Sequence, residues 1–380
     1  MVDVGGTVAP GFEPVREAFE ANFQRGEVGA SCCVYFDGRP VVDIWGGRRA
    51  PGSAEAYTGE TLQLVASATK GAMALCALRL SERGELDFDA PVAEYWPEFG
   101  AGGKDRIPVR WLFSHQAGLP AVDQTIAMAE VYRWGPMVEA LAAQEPYWEP
   151  GSAHGYHALT YGWLVGEVLG RITGLTPGDL LEREIAGPLG VDFWVGLPDE
   201  EHGRVAPLTP APAPPPGAEP DPLTMLLLDP HGLAFKAFFV PNGLFGVIND
   251  PDLWRAQLPA ANGIANARGL ARMYAACLGE VDGVRLIKPE TVAVATVQQT
   301  TGRDRVLGFS SRFGLGLQLS FPERPMAGEG SFGHYGLGGS VGFAHPGQGI
   351  AFGYVVNQML PGGTVDPRSK ALIEATLGCL

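Results

Sequence analysis

The sequence has no run of basic residues. Its 27 Lys and Arg are outnumbered by 42 Asp and Glu, which leaves a net charge of −15 at pH 7. Nucleic acid and anionic membrane surfaces are bound through the opposite sign, so neither is expected as a partner. No apolar stretch reaches the roughly 20 residues that span a bilayer. The opening Met1-Val-Asp-Val-Gly-Gly lacks a basic segment followed by an apolar one, so no secretory signal is expected. Cysteine is scarce. Cys32, Cys33, Cys76, Cys277 and Cys379 are odd in number and show no Cys-x-x-Cys spacing. A disulfide framework is not expected, and a cytoplasmic, reducing location fits. Charge is low as well: 18% of residues are charged against 46% hydrophobic, which excludes a disordered chain. The 380 residues suffice for one large domain or two smaller ones.

What is present is periodicity at both ends. "GFEPVREAFEANFQRG" spaces Val15, Phe19 and Phe23 four apart and stops at Gly26, a helix. "ASCCVYFDGRPVVDIWGG" is two β-rich runs around Asp37-Gly38, a hairpin; in a strand Cys32 and Cys33 would point to opposite faces. "NGIANARGLARMYAACLG" and "RSKALIEATLG" are helical, whereas "FGLGLQLS", "FGHYGLGGSVGFAHP" and "IAFGYVVNQM" read as strands. The middle is mostly helix and loop. Its proline-rich stretch 207–222 reads as an extended surface loop. Strands at both ends with helices between them predict an α/β (α+β) fold. In it, residues 1–82 and 262–380 form an antiparallel sheet flanked by helices, and 83–261 form a mainly helical insertion.

Three stretches carry candidate chemistry. Ser67-Ala68-Thr69-Lys70 opens a helix that is apolar on every side from Met73 to Leu80, hence buried, and that is expected to end near Gly84. Ser67 and Lys70 share a face. Burial and the helix dipole would both lower the lysine pKa, which suits a base beside a nucleophile. Taken alone, the tetrapeptide reads more readily as a helix cap with a solvent-seeking lysine. Tyr156 falls in a loop just before the helix "LTYGWLVGEVLGRITG". His334-Tyr335-Gly336 sits on a strand before a glycine-rich stretch that would let a ligand approach the backbone.

The order and setting of these three stretches resemble the serine β-lactamase and penicillin-binding-protein superfamily, whose Ser-x-x-Lys is one of its signatures. The chain is most similar to the class C-like branch with the family VIII carboxylesterases. "LVASATKGAMALCALRLSERGELDFDAPVAEYWPEF", "VRWLFSHQAGLP" and "EPGSAHGYHALTYGWLVGEVLGRITG" carry the likeness, which runs from roughly residue 10 to 378. The resemblance implies an antiparallel sheet with an inserted helical region, and neither a cofactor nor, from the histidine spacing, a metal is expected. It implies Ser67 as the acylated nucleophile, Lys70 as its base and Tyr156 as the proton shuttle. The backbone N–H groups of Ser67 and Leu337 would form the oxyanion hole. His334, Tyr335 and Gly336 would lie beside the substrate.

Two positions depart from that pattern. The asparagine of the family's Tyr-x-Asn is replaced in Tyr156-His157-Ala158, and the lysine that usually opens the strand triad is replaced by His334. An ammonium there helps hold the carboxylate of a β-lactam, and a neutral histidine does not. A carboxylesterase acting on small-molecule, short-chain esters is therefore expected. A β-lactamase, a D-amino-acid peptidase or an acyltransferase would use the same residues, and a non-catalytic penicillin sensor is the remaining alternative. His157, next to Tyr156, is expected to tune it, line the pocket or lie on the surface. His115 is expected behind the site. "GGSVG" around Ser340 matches a nucleophile elbow, but the sequence after it reads as a hairpin where the elbow needs a helix. His154 and His157 lack a third ligand for a metal.

Overall fold

The computed structural model describes residues 2–212, 222–239, 244–360 and 365–380. In chain order its strands are β1 (Val4–Val8), β2 (Gly29–Phe36), β3 (Arg39–Gly47), β4 (Gln63–Ala66), β5 (Phe193–Trp194), β6 (Gly263–Ala265), β7 (Thr300–Arg303), β8 (Ser310–Phe313), β9 (Gln318–Leu319), β10 (Phe332–Tyr335), β11 (Val341–His345) and β12 (Ile350–Val356). Among the described residues, nine strands form one antiparallel sheet in the order β1-β3-β2-β12-β11-β10-β9-β8-β7. The sheet joins both ends of the chain, as the strand pattern predicts. β4, β6 and β5 make a second, three-stranded sheet.

Five helices matter for the site: α1 (Glu13–Asn22), α2 (Thr69–Glu82), α3 (Thr160–Thr173), α4 (Ala267–Leu278) and α5 (Pro367–Leu377). The large sheet is covered on both faces, so its interior strand β2 is buried at every position but its last. Cys32 packs with Val15 and Phe19 of α1 and Leu372 of α5. Cys33 faces the other way, with Leu270 and Tyr274 of α4. The expected opposite orientation of the two cysteines follows from the strand's two-residue repeat. All five cysteines are free. One apolar core cluster runs from Cys33 through α2, α3 and α4 to Val355.

α2 is buried from Thr69 to Leu78 and again at Leu80. It ends at Glu82, and Gly84 takes a left-handed φ of 73°. A fourteen-residue helix with no polar stripe is stable only inside the protein. Its one long cation in the second half, Arg79, reaches Glu184 at 2.8 Å.

One reading is revised. "FGLGLQLS" is not one strand: β8 stops at Phe313, the chain reverses through Gly314–Gly316, and β9 resumes for two residues. Gly316 has φ 75°, and a Cβ there would stand 2.6 Å from the Cβ of Ala74 on α2. The tight reversal is what lets this edge of the sheet press on α2. Of the proline-rich stretch 207–222, residues 213–221 lie outside the described residues. Its described start is ordered by Thr209, which donates its N–H to Asn357 O at 2.7 Å and accepts from Met359 N at 2.9 Å. Ser340 lies in the turn joining the antiparallel pair β10 and β11, followed by a strand and not by a helix. No described helix is long and apolar enough to cross a membrane.

Candidate active site

β4 delivers the chain to Ser67, and Ala66 makes the turn into α2 with a φ of 47°. A positive φ at a residue with a Cβ is strained, and such strain persists only where the surroundings impose it. Here Thr69 does so: its hydroxyl donates to Ala66 O and accepts the Gly263 N–H at 2.9 Å, tying the junction to β6. Ser67 and Lys70 then lie on one face of the first turn. Lys70 is wholly buried, with its Nζ 3.1 Å from Ser67 Oγ, 2.7 Å from Ala158 O and 2.8 Å from Ala260 O. Burial alone drives its pKa well below the ordinary lysine range. The N-terminus of α2 disfavours a cation in the same direction.

Tyr156 lies in the loop ahead of α3, 5% exposed. Its ring stacks on Phe313 at 6.0 Å and 13° and stands 4.9 Å from the His115 ring. Lys70 Nζ lies 4.9 Å from its centroid. Burial lifts the phenol above its usual range, while the Ser67 hydroxyl beside it acts in the opposite sense. The backbone of Tyr156 is held by Asp304. Its Oδ1 accepts the N–H groups of Tyr156, Val306 and Leu307, each at 2.9 Å, and its Oδ2 accepts Ser311 Oγ at 2.9 Å. His154 reaches the same Ser311 hydroxyl at 3.0 Å. Nothing in the sequence marks Asp304: it stands 148 residues from Tyr156, outside every quoted motif.

His115 lies behind Tyr156 as expected, whereas His157 is placed otherwise. His157 lines neither of the two cavities that open at Ser67 and does not reach the surface. It is fully buried, its Nε2 accepting Leu119 N at 3.0 Å and its Nδ1 facing Gly155 O at 2.7 Å. Nδ1 therefore carries the proton, and burial lowers the ring's pKa to about 3. His115, at φ 63°, accepts the His157 N–H at 3.1 Å and packs behind Tyr156; it too is held neutral by burial. His334 is also closed off from solvent beside the Tyr156 ring, at 6.2 Å. Its Nδ1 meets Tyr335 O at 2.7 Å, its Nε2 has no partner among the described residues, and its pKa is pushed down to about 3. His334 and His157 thus support the site from behind, because each ring is enclosed by the packing that holds Tyr156.

Two cavities meet at Ser67 and Leu337. One, of about 140 Å³, is lined by Tyr156, Gln318, Arg324, Tyr335 and Gly336. The other, of about 50 Å³, is apolar, lined by Leu64, Leu159, Phe238, Ile248 and Leu253. Gly336 brings the end of β10 against the end of β4 so closely that a Cβ on it would stand 2.2 Å from Val65 O. Neither the Ser67 nor the Leu337 amide donates to a hydrogen-bond acceptor among the described residues. The arrangement couples a hydroxyl, a buried amine whose pKa is lowered and a phenol at a helix N-terminus, the parts that acyl transfer requires.

Comparison with known proteins agrees with the fold. The Beta-lactamase family model matches residues 15–376. The esterase/beta-lactamase LipL of Mycobacterium tuberculosis (strain ATCC 25618 / H37Rv) is 37% identical over 366 residues, covering 94% of this chain and 83% of that protein. The crystal structure of a family VIII carboxylesterase superposes with a TM-score of 0.91 at 37% identity, over 100% of both chains. A penicillin-binding protein homolog from Caulobacter crescentus gives 0.88 at 38% identity, again over 100% of both. A match over nearly the whole chain, on an antiparallel sheet flanked by helices, means that this protein belongs to the Beta-lactamase family.

Proposed function

We propose that the protein is a carboxylic ester hydrolase working through an acyl-enzyme on Ser67. The observation that carries the reading is the 3.1 Å contact of the buried Lys70 amine with the Ser67 hydroxyl. A neutral amine has two N–H groups and one lone pair. Two carbonyls, of Ala158 and Ala260, take the N–H groups and leave the lone pair for Ser67. Lys70 accepts the Ser67 proton as Oγ bonds to the acyl carbon. The ester C–O bond then breaks, and Tyr156, kept protonated by its raised pKa, gives its proton to the departing alkoxide. The proton on Lys70 restores Tyr156. Water enters next and passes a proton through Tyr156 to Lys70 as its oxygen bonds to the acyl carbon. The Oγ–acyl bond breaks and Ser67 regains its proton. The amides of Ser67 and Leu337 hold the carbonyl oxygen throughout.

Esters are favoured over β-lactams because His334 is neutral where the resemblance puts an ammonium. The kinship with an esterase/beta-lactamase and a family VIII carboxylesterase supports the same class. The apolar cavity beside Ser67 suits a short acyl chain. The test is labelling with a fluorophosphonate followed by peptide mapping, alongside turnover of p-nitrophenyl butyrate and a chromogenic cephalosporin. Label on Ser67 with faster ester than cephalosporin turnover is expected. Label on Ser340 would sink the proposal.

A further inference from the structure

One side chain outside the reacting groups stands where the two cavities meet. Among the described residues, Ser67, Leu337 and Phe238 line both. Ser67 is the nucleophile and the Leu337 amide an oxyanion donor on the reading above, so the carbonyl carbon of a substrate sits at that junction. Phe238 brings only a ring to the shared boundary. It belongs to the short helix Leu233–Phe239, is half-buried, and stands 6.3 Å from the Tyr156 ring. Its neighbours in sequence hold that helix on the cleft. Ala237 is buried in one apolar cluster with Tyr156, Val306 and Phe313. Lys236 pairs with Asp123 Oδ1 at 2.7 Å, and the same oxygen accepts the Tyr147 hydroxyl at 2.6 Å.

The two cavities differ in which part of an ester each can take. Tyr156 lines the larger and not the smaller. With Tyr156 protonating the departing alkoxide, the alcohol portion lies in the larger cavity and the acyl chain in the smaller. The smaller offers that chain apolar walls. Asn262 lines it, but backbone groups take up its amide: Nδ2 donates to Leu253 O at 2.8 Å and Ala256 O at 2.7 Å, and Oδ1 accepts Leu258 N at 3.1 Å. At about 50 Å³ the cavity has room for few methylene groups. We propose that Phe238 sets the acyl-chain length, its ring closing the acyl cavity against the alcohol cavity. The preferred substrates then join a short apolar acyl chain to a larger alcohol. Removing the ring joins the cavities and opens a path for a longer chain.

The proposal rests on ester hydrolysis for its substrates, and the experiment separates the two. kcat/KM is measured for p-nitrophenyl acetate, butyrate and octanoate with the wild type, Phe238→Ala and Phe238→Trp, so that only the acyl chain varies. Calorimetric titration with 2-nonanone, which has the octanoyl chain and carbonyl but no leaving group, reads binding without turnover. Each methylene moved from water into apolar contact is worth about fourfold. The octanoate-to-butyrate ratio should therefore rise about tenfold or more in F238A, and 2-nonanone should bind that variant about tenfold more tightly than the wild type. F238W should shift the preference the other way, toward acetate. A merely loosened fold would lower all three esters together in both variants. An octanoate-to-butyrate ratio and a 2-nonanone affinity that are both unchanged in F238A overturn the role of Phe238. Tighter 2-nonanone binding in F238A with no turnover of any ester overturns ester hydrolysis and leaves the wall standing.

Discussion

The carboxylate of Asp304 accepts the backbone N–H of Tyr156 at 2.9 Å across 148 residues of sequence. It is fully buried and accepts three amides and a hydroxyl in all, so it acts as a clamp on the loop that presents the phenol. Asp304→Ala would leave those donors buried without an acceptor. The expected cost is at least about 3 kcal/mol, read as a lowered Tm, with a fall in ester turnover. Asp304→Asn keeps an oxygen for the three amides and should lose much less.

Lys70 is the group whose charge state sets the pH behaviour. Its folded pKa is depressed by burial, so activity should fall as pH drops through that value. For stability, the unfolded chain holds the proton up to about pH 10 while the folded protein releases it lower. The wild type is therefore progressively penalised as pH falls from about 10 to the folded value. Lys70→Met should abolish turnover, and its Tm relative to wild type should rise as pH is lowered across that window. A relative Tm that moves the other way would mean the lysine is charged in the fold.

Tyr156→Phe keeps the ring between Phe313 and His115 and removes only the hydroxyl. Turnover should drop by about 10²-fold or more with little change in Tm. Retained turnover would assign the proton transfer to another group.

Gly336→Ala tests the approach of β10 to β4. The added methyl would meet Val65 O at 2.2 Å, and the two strand ends must part. Because they carry Ser67 and Leu337, the distance between the two amides widens. A loss of about 10²-fold in kcat, with KM less affected, is expected from a displaced oxyanion donor. Unchanged kcat would remove Leu337 from that role.

Much of the fold was legible because its signals are local. The two-residue alternation of Cys32 and Cys33 and the all-apolar α2 need only neighbours in sequence to be read. "FGLGLQLS" misled because a glycine reversal leaves the same apolar alternation as a strand. Only the fold explains the glycines, Gly316 standing against Ala74 of α2 and Gly314 against Ala295 O. His157 misled for a related reason: a histidine next to Tyr156 in sequence turns its ring into the interior, where backbone groups occupy both nitrogens.

The sequence by itself determined the strand-helix-strand order, the placing of Ser67 and Lys70 on one helical face and the hairpin around Ser340. All three depend on spacing within a few residues. Tertiary structure alone decided the electrostatics. Whether Lys70 is a base depends on the carbonyls of Ala158 and Ala260, which reach it from 88 and 190 residues away. Whether His334 carries charge depends on its enclosure. Burial and charge-charge distance are properties of space, and a linear pattern records neither.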